Sequence, residues 1–296
     1  MNVPGTNTVR AAGPAAVDHD ALAATALAAT GCGAEDLLFL AGSTTDGLAN
    51  RNSDLDLYVV GDFRVTGSET AARQGERTAT VAFHEGREVN VAVLDPAALD
   101  RLRKDFRDAV ASLAEQHGIA QLVDEDNLKI LHRVRTGRAL RRPDRLQDLR
   151  DDLGTGDLPR YLLNVAAVAA VNRLNDVAGE LADGHAESAA WMYREALVHT
   201  GQCALAAAGV TVPSVKWLVR LLRREAERGP AAQSAPALAP ARCAAHTARR
   251  LLEPPADTAA ALQETRAELA ALIDSVGGQA GPYVRLVARP KLGRHR

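Results

Sequence analysis

The chain has 296 residues, 47% of them apolar, and a formal net charge of −2. That is long enough for two domains with sizeable cores, and too close to neutral to point to a nucleic-acid partner. Its three cysteines (Cys32, Cys203 and Cys243) are far apart and odd in number, which speaks against a disulfide framework or a cysteine zinc site and fits a reducing cytoplasm. The N-terminus is not expected to be a signal peptide, and no apolar run reaches the ~20 residues a membrane helix needs.

Residues 1–16 are rich in Gly, Pro, Thr and Asn and read as a loose tail. An alanine-rich helix with an acidic start is expected from Asp18 or Asp20 to Thr30, ended by Gly31-Cys32-Gly33. Leu37 to Ala41 reads as a strand that delivers Gly42-Ser43, and the polar connection Thr44 to Ser53 has room for one helical turn. A second strand follows from Asp54 to Val60. Alternate strand residues share a face, so Asp54 and Asp56 project together while Leu55, Leu57 and Val59 pack behind them. Two carboxylates held side by side repel unless a cation sits between them, and such a pair suits Mg²⁺, which shares oxygen ligands with substrate phosphates. Glycine lets a backbone come close to a ligand. Exposed N–H groups and the Ser43 hydroxyl can then cradle phosphate oxygens. Further on, Thr78–His84 and Arg87–Leu94 alternate like a hairpin around a two-residue Glu85-Gly86 turn.

Gly42-Ser43 at the end of one apolar strand, followed by Asp54-Leu55-Asp56 opening the next, resembles the signature of the DNA polymerase β-like nucleotidyltransferase superfamily. The resemblance covers about the first third of the chain. It implies that Asp54 and Asp56 hold Mg²⁺, that Gly42 and Ser43 hold the β- and γ-phosphates of a nucleoside triphosphate, and that ATP or another NTP is the co-substrate. It also implies a third carboxylate on a neighbouring strand, and there this chain departs from the pattern: the matching position is Asn90, a weak metal ligand that cannot act as a base. Glu88 lies two residues earlier on the same face, some ~7 Å along the strand. Four readings stay open: Glu88 supplies the base, the second domain does, an already anionic acceptor needs none, or the site is degenerate.

Asp95-Pro96 starts a helix expected to reach Glu115, and Gln116–Asp124 is a break. A short amphipathic segment, Asp126–Val134, leads to Arg135-Thr136-Gly137-Arg138. Beyond it the pattern is helical: one helix from Leu158-Pro159, with Tyr161, Val165, Val168, Val171 and Leu174 at helical spacing; another from Glu187 to Ala208; and a third from Lys216 to Arg228 with Ser214 as cap. Gly229–Pro240 reads as a linker, Pro240–Leu252 and Asp257–Val276 as closing helices, and Arg289–Arg296 as a basic, loose tail.

The expected class is therefore α+β: a small mixed-sheet nucleotidyltransferase domain over residues 1–125, followed by an all-helical bundle over 126–296 that binds the acceptor. This layout is similar to the aminoglycoside (kanamycin) nucleotidyltransferase branch, in architecture only. It makes Glu195 a further candidate base, and Arg194 and Lys216 candidates to neutralise triphosphate charge. The expected activity is a metal-dependent transfer of a nucleoside monophosphate, AMP for preference, from Mg–NTP to a small-molecule acceptor such as an antibiotic or natural-product intermediate. A non-catalytic nucleotide- or partner-binding protein on the same fold is the alternative, and an AMP transferase acting on a protein also stays open, as does a homodimer. Neither a membrane nor a nucleic acid is expected as partner.

Overall fold

A computed structural model of the chain describes residues 18–50, 52–61, 72–74, 77–113, 122–211, 214–228, 235–256 and 258–277. The chain is α+β and forms two compact units. The first draws on residues up to Ala98 and on Thr136–Leu146; the second comprises Leu99–Arg135 and the residues from Gln147 onward.

The first unit is built on a six-stranded mixed sheet. Its strands are β1 (Leu37–Ala41), β2 (Leu55–Val60), β3 (Ala72–Gln74), β4 (Arg77–His84), β5 (Arg87–Leu94) and β6 (Arg138–Arg141), in the order β3-β4-β5-β2-β1-β6. Only β2 and β5 run parallel; the other neighbours are antiparallel. One helix, α1 (His19–Thr30), covers one face. Asp18 caps it by accepting from the backbone N–H groups of Asp20 and Ala21 at 3.0 and 3.2 Å. Leu22, Ala23 and Ala26 of α1 are buried against Leu38, Leu40, Leu55, Leu57, Val59, Val89, Val91 and Val93. Strand alternation sends these apolar side chains to the α1 face and sends Asp54, Asp56 and Asn90 to the other. The β4–β5 hairpin turns on Glu85 and Gly86 at φ 49° and 75°. Positive φ at both central residues is the two-residue turn whose twist matches paired strands.

The second unit is helical among its described residues. It contains α2 (Pro96–Ser112) and α4 (Pro143–Asp152), whose first residues belong to the first unit, with α3 (Glu125–Thr136), α5 (Leu158–Ala182), α6 (Ala186–Ala207), α7 (Leu218–Arg228), α8 (Ala235–Leu252) and α9 (Ala259–Gly277). The helix α6 packs against α5, α7, α8 and α9. Its buried side sets small residues (Ala189, Ala190, Ala196, Gly201, Cys203, Ala204) beside the larger Tyr193, Leu197 and Leu205. Tyr161 anchors α5: its ring meets Phe106 edge-on at 5.6 Å, and its hydroxyl accepts from the Val123 N–H at 2.9 Å. No described helix is long and apolar enough to cross a membrane.

Three features differ from the expectations. The chain does not divide at a single point near residue 125. It returns to the sheet as β6, which pairs with β1 through Leu38–Arg141, Phe39–Ala139 and Leu40–Arg138. Arg142, just past β6, is held by Glu35 at 3.0 Å, and Arg145 donates to the Glu35 carbonyl at 3.0 Å. Second, α8 begins at Ala235, so the expected linker is helical over its last residues with Pro240 inside. Proline removes one backbone donor, and the alanines around it supply the propensity to continue. Third, the helix expected from Lys216 starts as a 3₁₀ turn, Val215–Trp217, before α7. The two terminal tails and most of the Gln116–Asp124 break lie outside the described residues.

Candidate active site

Asp54, Asp56 and Asn90 come together beside the Gly42 turn, where β1 ends and β2 and β5 begin. Past Ala41 the backbone turns through a short 3₁₀ segment, Gly42–Thr44. The Gly42 carbonyl accepts from the Asp46 N–H at 3.1 Å and from the Thr45 hydroxyl at 3.0 Å; the Ser43 carbonyl accepts from Leu48 and Ala49 at 2.8 and 2.9 Å. The connection to β2 is folded on itself in the same way. Asn50 N–H donates to Ser53 Oγ at 2.9 Å, Asn52 N–H to Asn50 Oδ1 at 2.9 Å, and the Arg87 guanidinium to the Ser53 carbonyl at 3.2 Å. The segment that delivers Asp54 is thus fixed at both ends.

Gly42 has φ +75°, and a Cβ placed there would overlap Asp56 Oδ2 and lie 3.0 Å from its Cγ. No other residue leaves this space. The Gly-Ser turn and the Asp56 carboxylate therefore touch, as the sequence pattern anticipates. Asp56 pairs in register with Ala41 on one side and Asn90 on the other. Asn90 Nδ2 donates to Asp54 Oδ2 at 2.5 Å. The opposite amide orientation would set oxygen against oxygen, so the nitrogen faces the carboxylate. Ser43, Asp54, Asp56 and Asn90 are all half-buried, and Glu88 is exposed.

The donor set suits a hard divalent cation that completes its shell with phosphate oxygens. Two carboxylates share one face beside a turn cleared of side-chain bulk, and the hydrogen bond to Asn90 engages one oxygen of Asp54. Among the described residues no three His, Cys, Asp or Glu side chains gather as a ligand group, so Glu88 is not drawn in as a third carboxylate. It lies one residue before Val89, which pairs with Leu55, and so is in line with Asp54 at the rim.

Beyond Asn90 the same face continues onto β4. Val81 pairs with Asn90 and Phe83 with Glu88, and both are open to solvent, at 43% and 70% exposure. In the turn, Thr44 Oγ1 is buried with no hydrogen-bond partner. Neither Phe83 nor Thr44 stood out in the sequence, although the alternation of Val81-Ala82-Phe83 along a hairpin arm carried the signal for the first.

The helical unit holds the other candidates. Arg194 and Glu195 line a cavity of about 230 Å³ together with Trp191, Leu197, Val198 and Arg250. Glu195 Oε2 is engaged by Arg173 Nε at 2.7 Å, and Arg173 also binds Asp176 at 2.8 Å. Lys216 is exposed on its 3₁₀ turn, capped by Ser214, with its ammonium 5.1 Å above the Trp217 ring. These residues form no cluster with Lys216.

No family model matches the chain, and no curated protein does. Among solved structures, the chain is similar to a nucleotidyltransferase-like protein from Exiguobacterium sibiricum 255-15. The identity is 14% and the TM-score 0.37, over 82% of this chain and 71% of that one. Nothing about activity transfers at that distance.

Proposed function

We propose that the chain is a nucleotidyltransferase that moves a nucleoside monophosphate, AMP for preference, from a magnesium-bound NTP to a small-molecule acceptor. The observation that carries this reading is the contact between Gly42 and Asp56: a glycine whose missing side chain is occupied by a carboxylate at the mouth of a polar turn. Asp54 and Asp56 would hold the metal, and Gly42 and Ser43 would cradle the β- and γ-phosphates. Bound Mg²⁺ would neutralise the charge that gathers on the phosphate oxygens and on the leaving pyrophosphate.

The chain's own residues do the rest. Asn90 holds one oxygen of Asp54 through its amide. The acceptor oxygen attacks the α-phosphorus, the bond to the bridging oxygen of the β-phosphate breaks, and pyrophosphate leaves. Glu88, exposed at the rim of the same face, takes the acceptor's proton. Glu195 is the poorer base, because Arg173 already engages its carboxylate. Arg194 and Lys216 also belong to the helical unit and carry no step of this scheme.

A second reading, a nucleotide binder without turnover, has one observation in its favour. The Asn90 amide occupies Asp54 where a third carboxylate would otherwise add charge for metal. One assay separates the two. Pyrophosphate release from ATP and Mg²⁺ is followed while candidate acceptors are added, in the wild type and in Asp54→Asn, Asp56→Asn and Glu88→Gln. Transfer predicts release that both Asp variants abolish and that Glu88→Gln slows by about 10²- to 10⁴-fold. Saturable nucleotide binding with no pyrophosphate under any condition supports the binder. Turnover that survives both Asp changes removes the metal site, and an unchanged rate in Glu88→Gln removes the base.

A further inference from the structure

Phe83 and Val81 are large apolar side chains exposed on β4, at 70% and 43%. Their neighbours make the exposure informative. In paired strands, parallel or antiparallel, residues in register point to the same face. Val81 is in register with Asn90, and Asn90 with Asp56; Phe83 is in register with Glu88. One row across the sheet therefore reads Ala41, Asp56, Asn90, Val81. The row beside it brings Glu88 and Phe83 together. The acid pair and the aromatic ring share a face of the same rigid sheet, two strands apart, or roughly 10 Å at ~4.8 Å per strand.

Other features of β4 point the same way. Its alternate residues Thr80 and His84 are buried on the α1 side, and His84 Nδ1 bonds Thr25 Oγ1 at 3.3 Å. The strand is thus anchored by its inner residues while Val81 and Phe83 stand free of the core. A solvent-facing strand position ordinarily carries a polar residue. Here two apolar ones in alternation extend a face whose centre is charged.

We propose that Phe83, seated on Val81, is a stacking platform for the nucleobase of the triphosphate. This rests on the function proposed above. With the β- and γ-phosphates at the Gly42 turn and the α-phosphate over Asp54 and Asp56, the ribose spans the Asn90 and Glu88 strand and the base reaches β4. Stacking on an aromatic ring uses the π-face that every base has, so the platform binds purine and pyrimidine NTPs alike. Choice among them falls to other groups.

The test measures binding of the full chain to three probes in the presence of Mg²⁺: α,β-methylene-ATP, which cannot release pyrophosphate; α,β-methylene-CTP; and inorganic tripolyphosphate, which lacks a base. Phe83→Ala is expected to weaken both nucleotide analogues about tenfold or more and to leave tripolyphosphate unchanged. Phe83→Trp is expected to restore binding and to report it by quenching of the new indole. Asp54→Asn is expected to weaken all three probes. The exposed position makes Phe83→Ala neutral for folding, which its melting temperature checks. Equal analogue binding by wild type and Phe83→Ala, with Asp54→Asn still impaired, overturns the platform and leaves the proposed function standing. Analogue binding that survives Asp54→Asn overturns the proposed function, and a wild type that binds none of the probes overturns both. A fall in molar mass in Phe83→Ala, with analogue binding intact, assigns the patch to contact between copies of the chain and likewise overturns the platform.

Discussion

At the scale of single residues, the site rests on two placements. The first is Gly42. A Cβ would have to displace Asp56, and φ +75° strains any L-residue. Gly42→Ala is expected to cost roughly 1–2 kcal/mol of stability and, by moving the carboxylate, to lower turnover by about 10²-fold. Thermal melting and pyrophosphate release check the two effects separately. The second is Asn90. A carboxylate there would face Asp54 Oδ2 at the 2.5 Å now bridged by an N–H. Like charges so close disfavour joint ionisation and invite a cation. Asn90→Asp is therefore expected to melt below the wild type without Mg²⁺ and to gain more than the wild type when Mg²⁺ is added. Identical Mg²⁺ responses would show that Asn90 does not face the metal. The turn at Gly42 and Ser43 and the shared face of Asp54 and Asp56 were legible because strand alternation and a Gly-Ser turn are local patterns. The Asn90–Asp54 bond and the exposure of Phe83 were not, because both depend on inter-strand register, which no single strand encodes.

At the scale of elements, most of the sheet and most helices followed from periodicity: β1 at Leu37–Ala41, the hairpin around Glu85-Gly86, α1 and α5. The misses have separate causes. The strand β6 is four residues, Arg-Ala-Leu-Arg, on a sheet edge, so it has too few residues to show alternation and two of them are charged. The start of α8 was hidden by Pro240, a breaker in isolation that the surrounding alanines override. The packing of α6 and α8 can be checked through their thiols. Cys203 and Cys243 are buried on these helices, and none of the three cysteines is in a disulfide. Burial pushes the Cys243 thiol up to about 12 and raises Cys203 well above its ordinary value. Only the thiolate reacts, so neither should label at neutral pH. A maleimide titration of the native protein is expected to modify Cys32 first, with Cys203 and Cys243 reacting only after denaturation. Fast labelling of either would contradict the packing.

At the scale of the whole molecule, the chain visits the sheet unit twice. Residues up to Ala98 build five of its strands, and Thr136–Leu146 supply the sixth. Strand-like alternation in the sequence ends at Leu94, so a contiguous cut near residue 125 was the natural reading. The return is invisible to it because β6 is short and sits between helices. The consequence is testable by truncation. A fragment ending at residue 125 loses β6 and leaves β1 as an unprotected apolar edge, a template for aggregation. It is expected to be recovered in lower soluble yield than a fragment ending at residue 152, as gel filtration of the two would show. Equal behaviour would mean that β6 contributes nothing to the sheet.

The central claim, that Asp54 and Asp56 beside the Gly42 turn seat a divalent cation together with a triphosphate, is tested most directly by Mn²⁺ electron paramagnetic resonance with α,β-methylene-ATP. The account predicts that the wild type removes free Mn²⁺ signal in the presence of the nucleotide and that the Asp54→Asn/Asp56→Asn double variant does not. Equal Mn²⁺ uptake by the two proteins would contradict it.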